Sequence, residues 1–247
     1  MMMDRLQVSA FGLLVGLASA SCIDASQRMA TCPTGTGDPS GTGAVALKVC
    51  SGGTKPSDDG LIDDFEDGDN QLSKVGGRDG YWFTSHDDKG STIGPNPLKM
   101  EDGGAGSSKA MHVTGQTSGD NGAWGALWGA NFLSQGLYDA SKYAGIAFKA
   151  KVGSSSTKKV RFKVGDVNTH PDGGVCKSCW NHFGKDMLLT TDWKDYKVTF
   201  AEMKQEGGWG EPHASVTPSQ LMSINWSIGT GQTFDVWVDD IQFFECI

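Results

Sequence analysis

The chain has no cluster of basic residues and no long apolar segment. Its 247 residues carry a formal net charge of -8, which argues against binding to nucleic acid or to an anionic membrane surface. The apolar run at 8–20 is too short to cross a bilayer as a permanent helix. We therefore expect no nucleic-acid partner and no membrane-spanning segment.

Sequence signatures of catalysis are also missing. The patterns G-x-S-x-G and H-E-x-x-H and the Walker phosphate loop do not occur. Adjacent carboxylates do occur, as at Asp63-Asp64 and Asp87-Asp88. Neighbours on a strand point to opposite faces, so adjacency does not produce the facing pair that a glycosidase needs. The sequence predicts that the protein is not an enzyme.

Helical periodicity is absent from every long window, whereas glycine is abundant, at 35 of 247 residues. Four segments instead alternate apolar and polar side chains with a period of two: 146–152, 160–164, 196–200 and 234–238. Each predicts a strand with one buried face. One short helical turn is expected at 217–222. Strands without intervening helices predict an all-β, antiparallel two-sheet sandwich.

The N-terminus indicates export. Residues 1–21 combine one basic residue, the short apolar run and a small-x-small pattern at Ala18-Ser19-Ala20, which predicts a cleaved signal peptide. Cys22 follows directly and is a candidate for lipidation, although Ser19 stands where bacterial lipoproteins usually carry Leu. Two localisations stay open: a secreted protein, or an outer-surface lipoprotein of a bacterium whose only membrane contact is this lipid.

The segment 22–60 is rich in Thr, Gly, Ser, Pro and Asp and poor in large apolar residues. Such a composition buries too little surface to offset the entropy of ordering, so it predicts a low-complexity, disordered tether. We place the start of the globular domain at Leu61, which gives a domain of 61–247.

Six cysteines in an exported chain favour disulfides over a metal site. The local pairings that we expect are Cys32–Cys50 and Cys176–Cys179. They leave Cys246 either unpaired or bonded to Cys50.

A loop at 166–184 follows one of the predicted strands. Its Cys176, Cys179 and His182, with His170 nearby, have spacing that resembles a zinc site. Outside the cytosol a short disulfide that closes the loop is favoured, and a thioredoxin-like redox role lacks the surrounding βαβ pattern. His170, His182 and other side chains of this loop could border a binding cleft.

Five segments, taken in order, resemble the galactose-binding-like jelly rolls, and among these the carbohydrate-binding modules of the family eleven type. They are 61–69, 77–82, 138–148, 193–200 and 234–243. The resemblance extends from Leu61 to Phe243. It implies a jelly roll whose concave face binds a polysaccharide or glycan without catalysis.

The resemblance also implies a structural calcium shared by the first and last strands. Carried over by position, Glu66 and Asp240 are the best candidate ligands, followed by Asp64 and Asp239. Calcium prefers six to eight oxygen ligands, and carboxylates are dense at these two ends. The alternative is that these acidic side chains are simply solvated.

Carbohydrate recognition needs aromatic rings to cover the C–H face of a sugar, and polar side chains to bind its hydroxyls. The candidate aromatic contacts are Trp82, Trp124, Trp128, Trp180 and Trp209. The candidate polar contacts are Arg161, Lys163, Asp166 and His182. The alternative for any of these tryptophans is packing in the core or in a loop, which we expect for Trp226.

Together these observations predict a monomeric module that binds a polysaccharide or glycan at the cell exterior. Two alternatives stay open. One is a jelly-roll glycoside hydrolase or polysaccharide lyase, which needs a carboxylate and a histidine converging in a closed pocket. The other is a surface structural or assembly protein with no sugar site.

Overall fold

The computed structural model describes residues 46–247. The predicted signal peptide at 1–21, Cys22, Cys32 and most of the predicted tether lie outside this part of the chain. Within residues 46–247, none of the helices has the length and apolar character needed to span a membrane.

Twelve strands build the domain. In chain order they are β1 (Thr54–Asp63), β2 (Trp82–His86), β3 (Thr92–Gly94), β4 (Met100–Asp102), β5 (Lys109–Gln116), β6 (Ala126–Asn131), β7 (Gly145–Val152), β8 (Lys159–Asp166), β9 (Phe183–Leu188), β10 (Lys194–Thr199), β11 (Leu221–Ile228) and β12 (Thr233–Cys246). Short 3-10 turns lie at Val75–Gly77, Pro171–Gly173, Phe200–Glu202 and Pro218–Gln220.

The strands form two antiparallel sheets. The seven-stranded sheet has the order β10-β7-β12-β5-β3, with β1 also paired to β12 and β4 to β5. The five-stranded sheet has the order β2-β6-β11-β8-β9. The predicted antiparallel two-sheet jelly roll is confirmed, and so are the four strands predicted from their period of two and the short turn that begins at Pro218.

The core lies between the two sheets and is strongly aromatic. Trp128 of β6 and Trp226 of β11 are cross-strand partners, fully buried, with ring centroids 6.2 Å apart. Phe234 of β12 stacks on Trp128 from the opposite sheet at 6.3 Å. Each buried aromatic side chain of this size removes a large apolar area from water, so this cluster helps to join the two sheets.

The fold begins earlier than Leu61. Strand β1 starts at Thr54 and pairs with the last residues of β12, where Thr54 lies opposite Cys246. A disulfide joins Cys50 to Cys246. The predicted boundary is corrected accordingly, because an edge strand rich in polar residues and containing Pro56 has the composition of a linker.

The Cys50–Cys246 bond also decides between the pairings that the sequence left open. Cys50 bonds to the C-terminal cysteine and not to Cys32, so the expected Cys32–Cys50 pairing is wrong. Local spacing misled here because the two ends of the domain are neighbours in the sheet although 196 residues separate the cysteines. The predicted Cys176–Cys179 disulfide is confirmed.

Candidate functional site

The outer face of the five-stranded sheet carries a cleft of about 960 Å³. Its floor comes from alternate residues of β8 and β11, which are the central strands of this sheet. On β11 the residues Ile224, Trp226 and Ile228 face the core, so Ser223 and Asn225 face the cleft. The period of two therefore gives one strand an apolar core face and a polar floor.

Strand β8 adds a row of cations to this floor. Lys159, Arg161 and Lys163 line the cleft, while Phe162 between them is buried in the core. Arg161 lies opposite Ser227 of β11. The positive charges are therefore placed across the middle of the cleft.

Arg161 is held by acceptors on the neighbouring strand and loop. Its Nη1 is 2.9 Å from Asp186 Oδ1, its Nη2 donates to the Lys204 carbonyl at 2.5 Å, and its Nε is 3.7 Å from Glu206 Oε1. Burial tends to raise the pKa of Asp186, but its bonds and ion pairs with Arg161 and Lys159 lower it. A carboxyl group in this state is a poor proton donor at neutral pH.

Three exposed tryptophans surround the cleft: Trp124, Trp180 and Trp209. Their exposed fractions are 47%, 58% and 46%. Trp124 lies in the loop before β6, beside the end of β11 that carries Ile228. Trp180 comes just before β9, at the end that carries Ser223. The cleft is thus bounded by an exposed indole at each end of β11.

The loop that carries Trp180 is locally constrained. Trp180 has a φ of 76°, a left-handed conformation that is costly for a bulky residue. Its backbone N–H donates to the Thr169 carbonyl at 2.8 Å, and the Cys176–Cys179 disulfide closes the chain just before it. These bonds hold Trp180 in a strained orientation that directs its side chain to the cleft.

Trp209 is positioned by a single asparagine. Asn181 Nδ2 donates to the carbonyls of Glu206 and Trp209, at 2.8 and 2.6 Å, and Asn181 Oδ1 accepts from the Glu206 N–H at 3.0 Å. Gly210 has a φ of 72°, and a Cβ there would lie 2.6 Å from the Asn181 Cβ. A glycine is therefore required for the loop to pack against Asn181.

Two histidines of the predicted loop complete the wall. The rings of His170 and His182 are parallel, with centroids 5.7 Å apart, and both line the cleft. Burial lowers the pKa of His182 to about 3, helped by the charge of Lys163, and burial also lowers the pKa of His170. Both imidazoles are neutral at physiological pH, and His182 Nδ1 lies 3.0 Å from Thr169 Oγ1.

The structure thus brings six of the nine predicted contacts to one cleft: Trp124, Arg161, Lys163, Trp180, His182 and Trp209. The other three are corrected. Trp82 and Trp128 are buried in the core, where Trp82 Nε1 donates to Asp63 Oδ2 at 2.6 Å. Both tryptophans have glycine-rich neighbours in sequence, and for this reason they were predicted to lie in loops. Both instead lie in strands, with their side chains on the core face.

Asp166 is the third correction. Its side chain is fully buried and joins the end of β8 to a distant segment. Oδ1 accepts from Thr169 Oγ1 at 2.9 Å, and Oδ2 accepts from the Thr217 N–H at 2.9 Å. Asp166 therefore supports the loop that carries Trp180 and does not face a ligand.

The carboxylates predicted to bind calcium lie where β1 and β12 meet, and their oxygens are engaged with the chain. Glu66 Oε1 accepts from the N–H groups of Ser108 and Lys109 at 3.0 and 2.7 Å. Asp64 Oδ1 accepts from the Glu66 N–H at 3.4 Å. These contacts tie the chain after β1 to the start of β5.

The other two carboxylates face a lysine. Asp239 Oδ2 accepts from the Ala105 N–H and from Ser107 Oγ, both at 2.7 Å. The Lys149 ammonium lies 2.7 Å from Asp240 Oδ2 and donates to the Ala105 carbonyl at 3.1 Å. Within residues 46–247, no three acidic, histidine or cysteine side chains are arranged to hold a metal ion. In this arrangement the carboxylate oxygens face N–H groups, a hydroxyl and an ammonium, which does not fit an oxygen cage for calcium.

Several cleft residues were missed by the sequence analysis: Asp186, Glu206, Ser223 and Asn225. The alternation Ser223-Ile224-Asn225 was available as a signal for a polar strand face. The burial of Ser223 and Asn225 could not be predicted in the same way, because the walls of the cleft come from loops that are distant in sequence.

Comparison with known proteins finds similarity in sequence and in fold. The family model "Carbohydrate binding domain 30" matches residues 78–245. Endoglucanase 3 of Fibrobacter succinogenes is 31% identical over 157 residues, which are 61% of this chain and 21% of that protein. The matched region thus spans about a fifth of the length of this relative.

Solved structures show the same fold. The family 11 carbohydrate-binding module of a cellulosomal cellulase of Clostridium thermocellum matches with a TM-score of 0.54 and 19% identity, covering 77% of this chain and 94% of that chain. The family 11 module from Clostridium thermocellum in complex with a β-1,3-1,4-mixed-linked tetrasaccharide has the same TM-score and identity, covering 77% and 99%. A family 30 module matches with a TM-score of 0.50 and 14% identity, covering 67% and 82%.

Proposed function

This chain belongs to the carbohydrate binding domain 30 family, whose domains bind carbohydrate without catalysis, and on that premise we propose that its cleft binds an extended stretch of a polysaccharide. The aromatic contacts in this proposal are Trp124, Trp180 and Trp209. The polar contacts are Arg161, Lys163 and His182. The cleft on the five-stranded sheet is the binding surface.

One observation carries the proposal. The chain has eight tryptophans, and the three with strongly exposed indoles all line the same cleft. Clustered exposed apolar groups mark interaction sites, and the flat face of an indole matches the C–H face of a sugar ring. Three such rings around one cleft favour a carbohydrate ligand over a protein-packing role.

The shape of the cleft favours a chain over a single sugar. Trp124 and Trp180 lie at opposite ends of β11, and Ser223 and Ile228 are separated by a rise of about 17 Å at the usual strand spacing. This length accommodates several sugar rings in line. We infer that the polysaccharide lies along β11, with an indole near each end of the bound segment.

The electrostatics of the cleft favour binding over hydrolysis. Asp186 and Glu206 are the two carboxylates in its lining, and both lie beside Arg161. A glycosidase needs one carboxyl group with a raised pKa as its acid, whereas the pKa of Asp186 is lowered by Arg161 against the opposing effect of burial. The site is better suited to hydrogen bonding with hydroxyl groups.

We place this activity outside the cell, in a monomer that is secreted or anchored through a lipid on Cys22. The predicted signal peptide at 1–21 and two disulfides, Cys50–Cys246 and Cys176–Cys179, support an exported protein. The likeness to part of an endoglucanase supports a role in holding an enzyme against a polysaccharide.

The test is retention of the oxidised full chain on a panel of insoluble polysaccharides, beside Trp124→Ala, Trp180→Ala and Trp209→Ala. Removal of one aromatic contact should weaken binding by about tenfold, the effect of losing about 1.4 kcal/mol. Trp193→Ala is the matched control, because Trp193 lies just before β10 of the other sheet, where its ring faces Lys151 of β7. Equal loss in the control, or saturable binding that none of the three changes affects, would reject the cleft as the site.

A further inference from the structure

We propose that the floor of the cleft contains a subsite for an anionic group on the glycan, either a uronic-acid carboxylate or a sulfate ester, formed by Lys163, Ser223 and Asn225. The inference rests on the proposed function of the cleft and names the chemical class of its ligand. It identifies Lys163 as the residue that determines specificity.

The floor holds buried polar atoms that have no partner. Ser223 and Asn225 are 1% and 2% exposed, and both line the cleft. Among residues 46–247, Ser223 Oγ and Asn225 Oδ1 have no hydrogen-bond partner. A buried polar group left unpaired costs about 1–3 kcal/mol. Two such groups on one surface indicate a place prepared for the polar atoms of a ligand.

Lys163 lies directly opposite Asn225 in the pairing of β8 with β11. Its ammonium makes no ion pair or hydrogen bond with the part of the chain that the structure describes. Lys159 and Arg161 on the same strand both pair with Asp186. Of the three cations in this row, Lys163 is therefore the one without a carboxylate at ion-pair distance among residues 46–247, and Glu206 acts on it only by longer-range attraction.

The surroundings of Lys163 increase the cost of an unpaired charge. Lys163 is partly buried, and because burial disfavours the charged ammonium it lowers the pKa of Lys163. The nearby His182 is neutral and so adds no second positive charge, while Glu206 attracts the Lys163 ammonium without forming an ion pair with it. An unpaired cation that is partly shielded from water has an unfavourable free energy, and an anion bound beside it offsets this cost.

Two glycines make room for this group of side chains. A Cβ on Gly165 would lie 2.6 Å from Ser223 Oγ and 3.0 Å from His182 Cε1. A Cβ on Gly184 would lie 2.8 Å from the Lys163 Cγ. Neither position has a left-handed backbone, so the close approach of neighbouring atoms, which at Gly184 include the Phe162 carbonyl oxygen at 2.6 Å, explains the absence of a side chain there.

The donors and acceptors match an acidic sugar. A carboxylate or sulfate accepts hydrogen bonds from the Lys163 ammonium and the Ser223 hydroxyl, while a neighbouring sugar hydroxyl donates to Asn225 Oδ1. A neutral sugar satisfies the hydrogen bonds but leaves the charge of Lys163 uncompensated. Hydrogen bonds to charged groups contribute about 1.5–3 kcal/mol, which corresponds to a preference of about tenfold or more.

The experiment is calorimetric titration of the oxidised full chain with three oligosaccharides that share one backbone. They are a β-1,4-glucan, the glucuronan obtained by oxidising its primary hydroxyls, and the glucan sulfated at the same hydroxyls. We expect one or both charged ligands to bind about tenfold or more tightly than the neutral one. The stronger of the two identifies the anionic group.

Variants assign the preference to Lys163. Lys163→Met should abolish it, and Lys163→Arg should retain it. Lys197→Met is the matched control, because it removes the same charge from an exposed lysine of the other sheet. Circular dichroism confirms that each variant is folded.

Equal or tighter binding of the neutral ligand, or a charge preference that survives in Lys163→Met, would overturn the inference. Neutral binding that depends on Trp124 but not on Lys163 overturns it and leaves the proposed function standing. No binding of any of the three ligands, by a folded chain that the polysaccharide panel also fails to retain, would overturn both.

Discussion

The carboxylate of Asp87 accepts a hydrogen bond from the backbone N–H of Trp124, with 3.0 Å between Oδ2 and N. The same oxygen accepts from the Gly125 N–H at 2.7 Å and from Ser91 Oγ at 2.9 Å. Asp87 lies just beyond β2 and does not line the cleft. It is a positioning residue, which fixes the backbone of an exposed tryptophan at one end of the binding surface.

Replacing Asp87 by Ala should therefore weaken polysaccharide binding without removing any contact to the ligand. We expect a several-fold loss of affinity, measured by calorimetry, and almost no further loss when Trp124→Ala is added, because both changes act on one contact. Asp88→Ala is the control, since the exposed Asp88 pairs with Lys89 alone at 3.4 Å. Additive losses in the double variant would show that Asp87 acts elsewhere.

Acidification should weaken the hydrogen bonds by which Asp87 holds the loop of Trp124. Burial tends to raise the pKa of Asp87, but hydrogen bonds from Gly125, Lys89, Ser91 and Trp124 outweigh it and lower the pKa from 3.8 to about 2. Because the folded-state pKa lies below the unfolded value, the stabilisation is fully present above pH 3.8 and is lost as the pH falls toward 2.

The unfolding midpoint measured between about pH 5 and 2 should consequently fall more steeply for the native chain than for Asp87→Ala. The two curves should approach each other at the acid end. Parallel curves over this range would contradict the account of Asp87.

Much of the fold could be predicted from the sequence because alternation is a local signal. The segment 234–238 alternates apolar and polar residues, and it lies in β12 with its apolar side chains in the core. Trp124, Trp180 and Trp209 were predicted as contacts from their glycine-rich or loop-like surroundings, and these three are exposed around the cleft.

The remaining features depend on contacts between distant segments. Trp128 has similar glycine neighbours, yet Trp226 and Phe234 enclose it in the core, and no local pattern contains these two partners. Ser223 and Asn225 have the polar alternation of a solvent-facing strand. They are buried by the walls of the cleft, and the residues of these walls belong to segments that are distant in sequence from β11.

The Cys176–Cys179 disulfide should matter for binding more than for stability. It closes a loop of only a few residues, so it reduces the entropy of the unfolded chain only slightly and adds little stability. It lies directly before Trp180, however, and so affects the position of that side chain. Changing both cysteines to Ser should lower affinity several-fold and leave the unfolding midpoint almost unchanged. The loss should not exceed that of Trp180→Ala. A large drop in the unfolding midpoint with unchanged affinity would contradict this role.

Calcium provides a test of the junction between β1 and β12. Lys149 already lies among the oxygens of Asp240 and Ala105, and Asp239 is hydrogen-bonded to the loop. We expect the unfolding midpoint to be the same in excess calcium and in chelator. A midpoint that rises with calcium and loses this rise in Asp240→Asn would restore the predicted site.

The proposed binding surface is the five-stranded sheet, with its three exposed indoles as the contacts to the polysaccharide. The most direct measurement is a proton–nitrogen correlation spectrum, in which each of the eight tryptophans gives one indole N–H peak. Single Trp→Phe variants assign the peaks. On titration with an oligosaccharide that the chain retains, the account predicts that the peaks of Trp124, Trp180 and Trp209 move with one saturation curve. Movement of the Trp193 and Trp237 peaks, while those three stay fixed, would place the ligand on the opposite sheet and contradict the account.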